Sequence, residues 1–194
     1  MAPFKPDRPA RTDAAAEFEA LLRHHVPALY RLAYRWTGSV DRAEDLVQDL
    51  LVRLFPKLTE LRRLDDLRSW VVRVMYRIFL DDLRRRRASP VQPAGLDNDR
   101  EDAEDADACI DQEAEPPAMV ERQLTQQRLL AAWQNLAVEH RLVLSMHDIE
   151  GYTMEELAGV MEIPLGTVKS RLHRARTRLR QLLAREHFTE ADRV

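Results

Sequence analysis

The spacing of apolar residues predicts helices along most of this chain. Between residues 14 and 37 apolar side chains recur every three or four positions, which is the period of an amphipathic helix. Pro27 interrupts that stretch, so we expect either a kink or a junction between two helices there. The same spacing returns in residues 41–55 and 70–87. Only five glycines and few runs of β-branched residues accompany these patterns, so we predict an all-α fold.

Two of the predicted helices in the first half have recognisable ends and faces. Asp41 and Glu44 form a capping pair that predicts a helix start. Tyr76 and Phe79, in the following helix, fit either the core or a stacking platform for unpaired bases. The run Arg84 to Arg87 places four like charges side by side, which favours an anionic partner. The buried positions of the two helices are predicted to be Ala43, Leu46, Val47, Leu50 and Leu54, and then Trp70, Val71, Val74, Ile78 and Leu83.

The second half contains two short helices joined by a tight connection. Thr153 followed by Glu156 is a capping box, which predicts a helix start. Pro164 and Gly166 end that helix, and Thr167 is expected to cap the next one. The buried stripe of the second helix is predicted to consist of Val168, Leu172, Ala175, Leu179 and Leu182. Two more helices are predicted ahead of this pair. The first, with its tryptophan in the core, is indicated by Leu129, Leu130, Trp133 and Leu136, and the second runs from Arg141 to Ile149.

The second helix of that pair carries charge of one sign. No acidic residue lies between Thr167 and Arg185. A solvated helix usually mixes both signs, because opposite charges four residues apart stabilise it. A basic helix that follows a short turn suits the major groove of DNA. We therefore favour nucleic-acid binding over a merely solvated helix, and its basic residues are Lys169, Arg171, Arg174, Arg176, Arg178 and Arg180.

Charge divides the chain into three parts. Residues 1–87 hold 18 basic and 13 acidic residues, a net charge of +5, and residues 88–118 hold 1 and 10, a net charge of −9. Residues 119–194 hold 11 and 10, a net charge of +1. The acidic part has no aromatic residue and contains several prolines, which is typical of a linker. The predicted organisation is a disordered N-terminus (1–13), a helical domain (14–87), an acidic linker (88–118), a second helical domain (119–186) and a tail (187–194).

Other features exclude several classes of function. No apolar run reaches the length of a membrane span, and the N-terminus lacks the apolar core of a signal peptide, so we expect a cytoplasmic protein without membrane insertion. The single cysteine, Cys109, cannot form an internal disulfide, and the acidic segment lacks the ligand spacing and glycine of an EF-hand. Asp81 and Asp82 point in different directions on a helix, and the six histidines share no ligand spacing. We predict no enzyme activity, no catalytic residue, no metal site and no cofactor.

Two blocks of the sequence, taken in order, resemble the extracytoplasmic-function (ECF) group of sigma factors in the sigma-70 family. DRAEDLVQDLLVRLF and WVVRVMYRIFLDDLRRRR are similar to regions 2.2 and 2.3–2.4. LAVEHRLVLSMHDIEGYTMEELAGVMEIPLGTVKSRLHRARTRLRQLL is similar to region 4. The resemblance implies a region 2 helical bundle and a region 4 helix-turn-helix joined by the acidic linker. It also implies a protein that binds core RNA polymerase and directs promoter recognition, strand opening and transcription initiation.

The resemblance further implies which residues form each binding surface. The surface that docks on the β′ clamp coiled coil of core polymerase would comprise Asp45, Gln48, Asp49 and Arg53. Contacts to the −10 promoter element would come from Arg62, Arg63, Asp66, Ser69, Trp70, Arg73, Arg77 and Arg84. Contacts to the −35 element would come from Thr167, Lys169, Ser170, Arg171, Arg174 and Arg178. Arg176 and Arg178 are expected nearer to phosphates or solvent. Further implied partners are the β flap of the polymerase and an anti-sigma factor, which could hold the protein at the membrane.

Three residues depart from the family pattern. Arg77 replaces a frequent asparagine, which alters the loop contact and the −10 preference that the family implies. Glu162 stands where glycine is common in the turn, and a left-handed backbone there would cost about 1 kcal/mol. Ala137 replaces a common proline.

Two alternatives come from other classes of protein. A sigma-like protein that only sequesters an anti-sigma factor would need no basic recognition helix. A free-standing helix-turn-helix regulator would leave the first block without a purpose. We therefore prefer the sigma factor.

Overall fold

The computed structural model describes the backbone over residues 9–88 and 117–191 and side chains over 13–88 and 124–184. Every regular element in these ranges is helical, which confirms the predicted all-α class. The chain divides into two compact units, Met1–Arg85 and Arg86–Val194. Cys109 and most of the acidic linker lie outside the described residues.

The first unit begins with two helices where one pattern was predicted. α1 (Pro9–Leu22) and α2 (Val26–Thr37) are separate, and Pro27 lies in the first turn of α2, so the proline marks a junction. Because α1 begins at Pro9, residues 9–13 are helical and the predicted disorder is wrong for them. The unit continues with α3 (Val40–Leu54), a 3-10 turn (Phe55–Lys57), α4 (Leu58–Leu61) and α5 (Leu67–Ala88).

A different residue from the predicted one caps α3. Gly38 ends α2 with a left-handed backbone (φ 71°) that only glycine adopts without strain. Ser39 follows in an extended conformation, and its hydroxyl accepts a hydrogen bond from the Arg42 N–H at 3.4 Å. The prediction that Asp41 caps this helix is therefore wrong. Asp41 lies in the first turn, where its charge complements the helix dipole.

The core of the first unit is built around Trp36, which is fully buried. Its ring meets Tyr76 at 6.2 Å and Phe79 at 5.6 Å between centroids, so both aromatics belong to the core and neither is a platform for bases. All five predicted positions of α3 are buried. On α5 the prediction is confirmed for Val71, Ile78 and Leu83, whereas Trp70 and Val74 are only half-buried.

The second unit consists of α6 (Pro117–Gln134), α7 (Val138–Leu144), a π-helical turn (Ser145–Ile149), α8 (Met154–Met161) and α9 (Leu165–Ala191). α6 begins inside the predicted linker, and α9 continues into the predicted tail. Trp133 is half-buried rather than a core residue, and Leu129 and Leu130 are 47% and 53% exposed. The core of this unit is formed by α7, the π-helical turn, α8 and α9, and the buried Ala132 of α6 and Leu136 just after that helix add to it.

The helix-turn-helix of the second unit is formed by α8 and α9. The Thr153 hydroxyl accepts from the Glu156 N–H at 3.1 Å and the Glu156 carboxylate accepts from the Thr153 N–H at 2.6 Å, which confirms the capping box. Glu162 ends α8 in a left-handed conformation (φ 55°, ψ 43°). This is the conformation in which a glutamate in place of glycine was expected to cost free energy. In the described part of the chain Glu162 is the one non-glycine residue with positive φ.

The start of α9 differs from the prediction. The helix begins at Leu165, and the N–H groups of Thr167 and Val168 donate to the Pro164 carbonyl at 2.8 and 3.1 Å. Thr167 is thus inside the first turn and does not cap the helix. Pro164 has no N–H, so the helix can start directly after it without leaving that donor unsatisfied.

None of the helices in the described part of the chain combines the length and apolarity that crossing a bilayer requires.

Candidate nucleic-acid and protein interfaces

α9 presents three different faces because successive residues are about 100° apart around a helix. Its buried stripe contains Val168, Leu172, Ala175 and Leu182, as predicted, with Leu179 half-buried. The face opposite the stripe carries Ser170 and His173, both exposed. One flank carries Thr167, Arg171, Arg174 and Arg178, and the other carries Lys169, Arg176 and Arg180.

The predicted −35 residues are therefore not all on one side of the helix. Thr167, Arg171 and Arg178 are half-buried on the first flank, and Arg174 beside them is exposed. Lys169 lies on the second flank, at an angle of about 140° from Arg174. Ser170 lies between the flanks, so the exposed surface in the first half of α9 joins the two sets.

Backbone contacts orient two of these side chains. The Ser170 hydroxyl donates to the Thr167 carbonyl at 3.0 Å, and the Arg174 Nε donates to the Ser170 carbonyl at 3.3 Å. The Ser170 oxygen keeps lone pairs for another donor, and the terminal nitrogens of Arg174 are not used by this bond. His140 of α7 lies near the first flank, where burial and then the charges of Arg174 and Arg178 lower its pKa, so it adds no positive charge at neutral pH.

His173 is a residue that the charge pattern did not reveal. It is exposed, lies one turn after Lys169 and Ser170, and projects from the face opposite the buried stripe. A search for basic residues passes over a histidine. The sequence does show that His173 lies opposite the predicted buried stripe, and that position could have identified it.

Arg176, which was expected at phosphates or in solvent, is held by a carboxylate of another element. Its Nε donates to the Asp148 Oδ2 at 3.0 Å and its Nη2 donates to the Asp148 Oδ1. The hydrogen bond to Arg176 holds the pKa of Asp148 below its ordinary value, and Asp148 in turn raises the pKa of Arg176. The sequence gives no sign of this pair, whose members are 28 positions apart.

The outer surface of α3 gathers the predicted polymerase-binding residues. Asp45, Gln48, Asp49 and Arg53 are all exposed. Asp45, Gln48 and Asp49 lie within about 100° of one another around the helix, and Arg53 is at the edge of this face. Val52 lies in the middle of the same face and is 66% exposed, so an apolar side chain sits among the charges. Val52 was not among the predicted residues of this surface.

The predicted −10 residues fall into two groups, and the first is a stripe along α5. Trp70, Arg73, Arg77 and Arg84 lie on one side of that helix, over about 21 Å from the first to the last. Lys57 places its Nζ 5.6 Å from the centre of the Trp70 ring, which adds a further positive charge at one end. Arg84 is exposed and pairs with Asp81 at 3.2 Å. Arg77, the departure from asparagine, is exposed on this stripe.

The second group holds the loop before α5 in place. The Asp66 carboxylate accepts a hydrogen bond from the Ser69 N–H at 3.0 Å and thereby caps α5. Ser69 is buried at 7% exposure, so its side chain does not reach the surface. Arg62 forms an ion pair with Glu17 of α1, and Phe18 packs edge-on against Phe55 at 5.3 Å nearby. Arg63 is exposed.

Comparison with known families identifies both blocks. The Sigma-70 region 2 model matches residues 21–89, and the Sigma-70 region 4 model matches residues 126–179. The chain is 32% identical over 166 residues to the ECF RNA polymerase sigma factor SigM of Mycobacterium tuberculosis, covering 86% of this chain and 76% of SigM. The chain belongs to the ECF sigma factors. The region 2 match contains α2 to α5, and the region 4 match contains α7, α8 and the first half of α9.

Other similar proteins agree with this membership. The sigma factor is 34% identical over 177 residues to the ECF RNA polymerase sigma factor SigE of Mycolicibacterium smegmatis, covering 91% of this chain but 65% of SigE. Among solved structures it resembles the sigma factor RpoE of Bartonella quintana in complex with the anti-sigma factor NepR, with 26% identity and a TM-score of 0.63. That likeness covers 86% of this chain and 96% of RpoE.

Proposed function

We propose that this sigma factor binds core RNA polymerase and directs it to promoters whose −35 element is recognised by α9. The observation that supports this most is the exposed surface in the first half of α9. Lys169, Ser170, His173 and Arg174 supply positive charge and hydrogen-bonding groups there, opposite the apolar stripe that fixes the helix in its unit. A helix of this kind enters the major groove and contacts base edges with its N-terminal residues.

The polymerase is bound by the outer face of α3 in this proposal. Its carboxylates favour a basic partner surface, and Val52 supplies an exposed apolar contact at the centre. Central apolar residues surrounded by a polar rim contribute most of the affinity in many interfaces. The partner surface is the β′ clamp coiled coil, and the second unit meets the β flap, as the family resemblance implies.

The −10 element is engaged by the stripe on α5. The arginines attract the phosphates of one strand, and the half-buried ring of Trp70 lies at the N-terminal end of the stripe beside Lys57. Extruding a base from the duplex costs a few kcal/mol, which contacts to the displaced base must offset. Asp66, Ser69 and Arg62 act here by holding the loop rather than by touching DNA. Bond formation itself is left to the polymerase, so this chain acts as an initiation factor.

An anti-sigma factor is the proposed regulator. Support comes from the similar sigma factor RpoE, whose structure was determined with the anti-sigma factor NepR. Such a partner would keep the protein from the polymerase, in the cytoplasm or at the membrane. The alternative of a protein that only sequesters anti-sigma factors leaves the exposed basic surface of α9 without a use, so we do not favour it.

Reconstituted transcription tests the proposal. Core polymerase, this protein and sheared genomic DNA are combined, and the 5′ ends of the transcripts are sequenced. We expect starts that share one −35 and one −10 sequence and that vanish when the protein is omitted. Transcripts without a shared upstream sequence would contradict the proposal.

A further inference from the structure

A fork between two side chains connects α9 to the π-helical turn. Arg176 donates two hydrogen bonds to Asp148, one to each carboxylate oxygen, with 3.0 Å between Nε and Oδ2. A two-pronged pair of this kind constrains direction as well as distance. His147 adds a third contact, because its Nδ1 lies 3.0 Å from Asp148 Oδ1. All three side chains are partly exposed, so the pair is better suited to orientation than to stability.

The π-helical turn that carries Asp148 is held in place by burial and hydrogen bonds. Ser145 and Met146, at its start, are fully buried, and the Ser145 hydroxyl donates to the Leu142 carbonyl at 3.0 Å. The Glu150 N–H donates to the Ser145 carbonyl at 3.0 Å, and the N–H of the buried Tyr152 donates to Met146 at 3.0 Å. The wider turn is closed at both ends by these bonds. Asp148 therefore projects from a fixed backbone.

Arg176 lies beside the DNA-facing surface and not on it. It follows Arg174 by two residues, but the two point about 160° apart around α9. The apolar stripe packs α9 against its own unit, and the fork adds a directional contact on the flank beside that stripe. A rotation of about 20° would move side chains on the outer face by about 2 Å, since they lie roughly 6 Å from the helix axis. Hydrogen bonds to base edges do not tolerate such a shift.

We propose that Asp148 and Arg176 are positioning residues that set the rotation of α9, so that its exposed residues meet the −35 bases in one register. Arg176 is then not a phosphate contact. This inference rests on the proposed function of α9. Asp148, in the π-helical turn, would then contribute to promoter specificity without touching DNA.

The test uses the complete holoenzyme and a promoter identified by the transcript mapping. Transcription is compared between that promoter and a copy with a scrambled −35 element. Asp148→Asn should lower the ratio of the two about 5- to 20-fold, which is comparable to losing one base contact. Arg176→Lys should lower it as well, because lysine keeps the charge but cannot form the fork. The double variant Asp148→Arg with Arg176→Asp exchanges the two partners and should restore part of the lost preference for the intact promoter.

If Arg176 contacts a phosphate instead, the same variants should change transcription differently. Freed from Asp148, the arginine would strengthen binding, so Asp148→Asn would raise transcription from both promoters, and Arg176→Lys would keep the ratio. Either result overturns the proposal. The same holds if Asp148→Asn leaves the ratio unchanged, or if the exchanged pair recovers nothing although its thermal unfolding matches that of the unmodified protein.

Two further variants separate this inference from the function on which it rests. Arg180→Lys, on the same flank one turn later, makes the same chemical change outside the fork and should leave the ratio unchanged. Arg174→Ala should lower the ratio if α9 contacts the −35 element. If Arg174→Ala lowers it and Asp148→Asn does not, only the positioning role is overturned. If neither lowers it, both proposals fail.

Discussion

Glu162 shows what a single backbone conformation costs. It closes α8 with φ 55°, a region in which a side chain crowds the following carbonyl. The helix still ends there because the Glu162 N–H donates to the Ala158 carbonyl, and the Ile163 N–H reaches the same oxygen at 3.2 Å. These bonds satisfy a carbonyl that the helix end would otherwise leave open.

We expect Glu162→Gly to stabilise the second unit by up to about 1 kcal/mol, since glycine adopts this conformation without the penalty. Hydrogen exchange of peptides from α8 and α9 in the full chain measures the effect as slower exchange. Glu155→Gly is the matched control, because the same change inside the first turn of α8 should destabilise the helix by about 1 kcal/mol. If both variants exchanged faster by the same factor, the left-handed backbone at Glu162 would carry no extra cost.

Asp66 gives the first unit a dependence on pH. The side chain and the backbone N–H of Ser69 lower its pKa below the ordinary value of 3.8. The charged cap therefore stabilises the folded protein above about pH 4, and this contribution is lost as the pH falls through the lower folded pKa.

Asp66→Ala should cost about 1 kcal/mol at pH 7 through loss of the cap. The difference from the unmodified protein should narrow at pH 3, as measured by urea unfolding of the full chain. Asp66→Asn keeps a capping oxygen without the titration, so it should retain most of the stability at pH 7. A gap between Asp66→Ala and the unmodified protein that is equal at both pH values would argue against a charged cap.

At the level of helices, the sequence predicts interiors better than ends. The five buried positions of α3 follow from spacing alone, since one apolar stripe can face only one core. The start of α9 was predicted too late, because the helix begins directly after Pro164 and Thr167 falls inside its first turn. The cap of α3 was predicted wrongly because Ser39 and Asp41 both stand near its start. Which of them is used depends on the backbone before it, such as the left-handed Gly38.

The exposed faces for which binding is proposed follow the same division. The outer faces of α3 and α9 could be predicted because they are the reverse of the buried stripes. The fork between Asp148 and Arg176 could not, since it joins positions 28 apart across a π-helical turn that no periodicity indicates. The capping role of Asp66 and the burial of Ser69 were likewise hidden, because in the sequence both residues simply adjoin a basic helix.

Asp49→Lys should reduce binding to core polymerase without changing helical content, since Asp49 is exposed on the outer face of α3. Co-elution with core enzyme on size exclusion measures the binding, and circular dichroism checks the helices. Glu60→Lys makes the same charge change at an exposed residue of α4, outside the proposed face, and should bind normally. Undiminished co-elution of the Asp49 variant would remove this face from the proposed interface.

For the whole molecule, the important property is that positive charge is divided between two small units. Residues 1–87 carry +5 and residues 119–194 carry +1, with −9 between them. A specific protein–DNA interface generally buries about 1,000–2,500 Å² of protein surface. The exposed surface in the first half of α9 is one side of a single helix, so we expect promoter binding to need the surface of the polymerase as well.

We therefore expect the isolated protein to show no sequence-specific shift of promoter DNA in a gel at about 150 mM salt, the ionic strength of physiological buffers. The holoenzyme should shift the same fragment, and a scrambled −35 element should weaken that shift. Core polymerase alone is the control. A tight, sequence-specific shift by the isolated protein would mean that its own surface suffices.

In the π-helical turn, the number of residues determines the direction of Asp148 as much as their identity does. Residues Ser145–Ile149 wind one residue wider than an α-helix would. Deleting one residue here could restore an ordinary α-helix with its hydrogen bonds intact, so the fold would survive. Asp148 would then turn by about 100° away from Arg176. If the fork positions α9 as proposed, a single codon lost from this turn would change which promoters are used without altering any residue of α9.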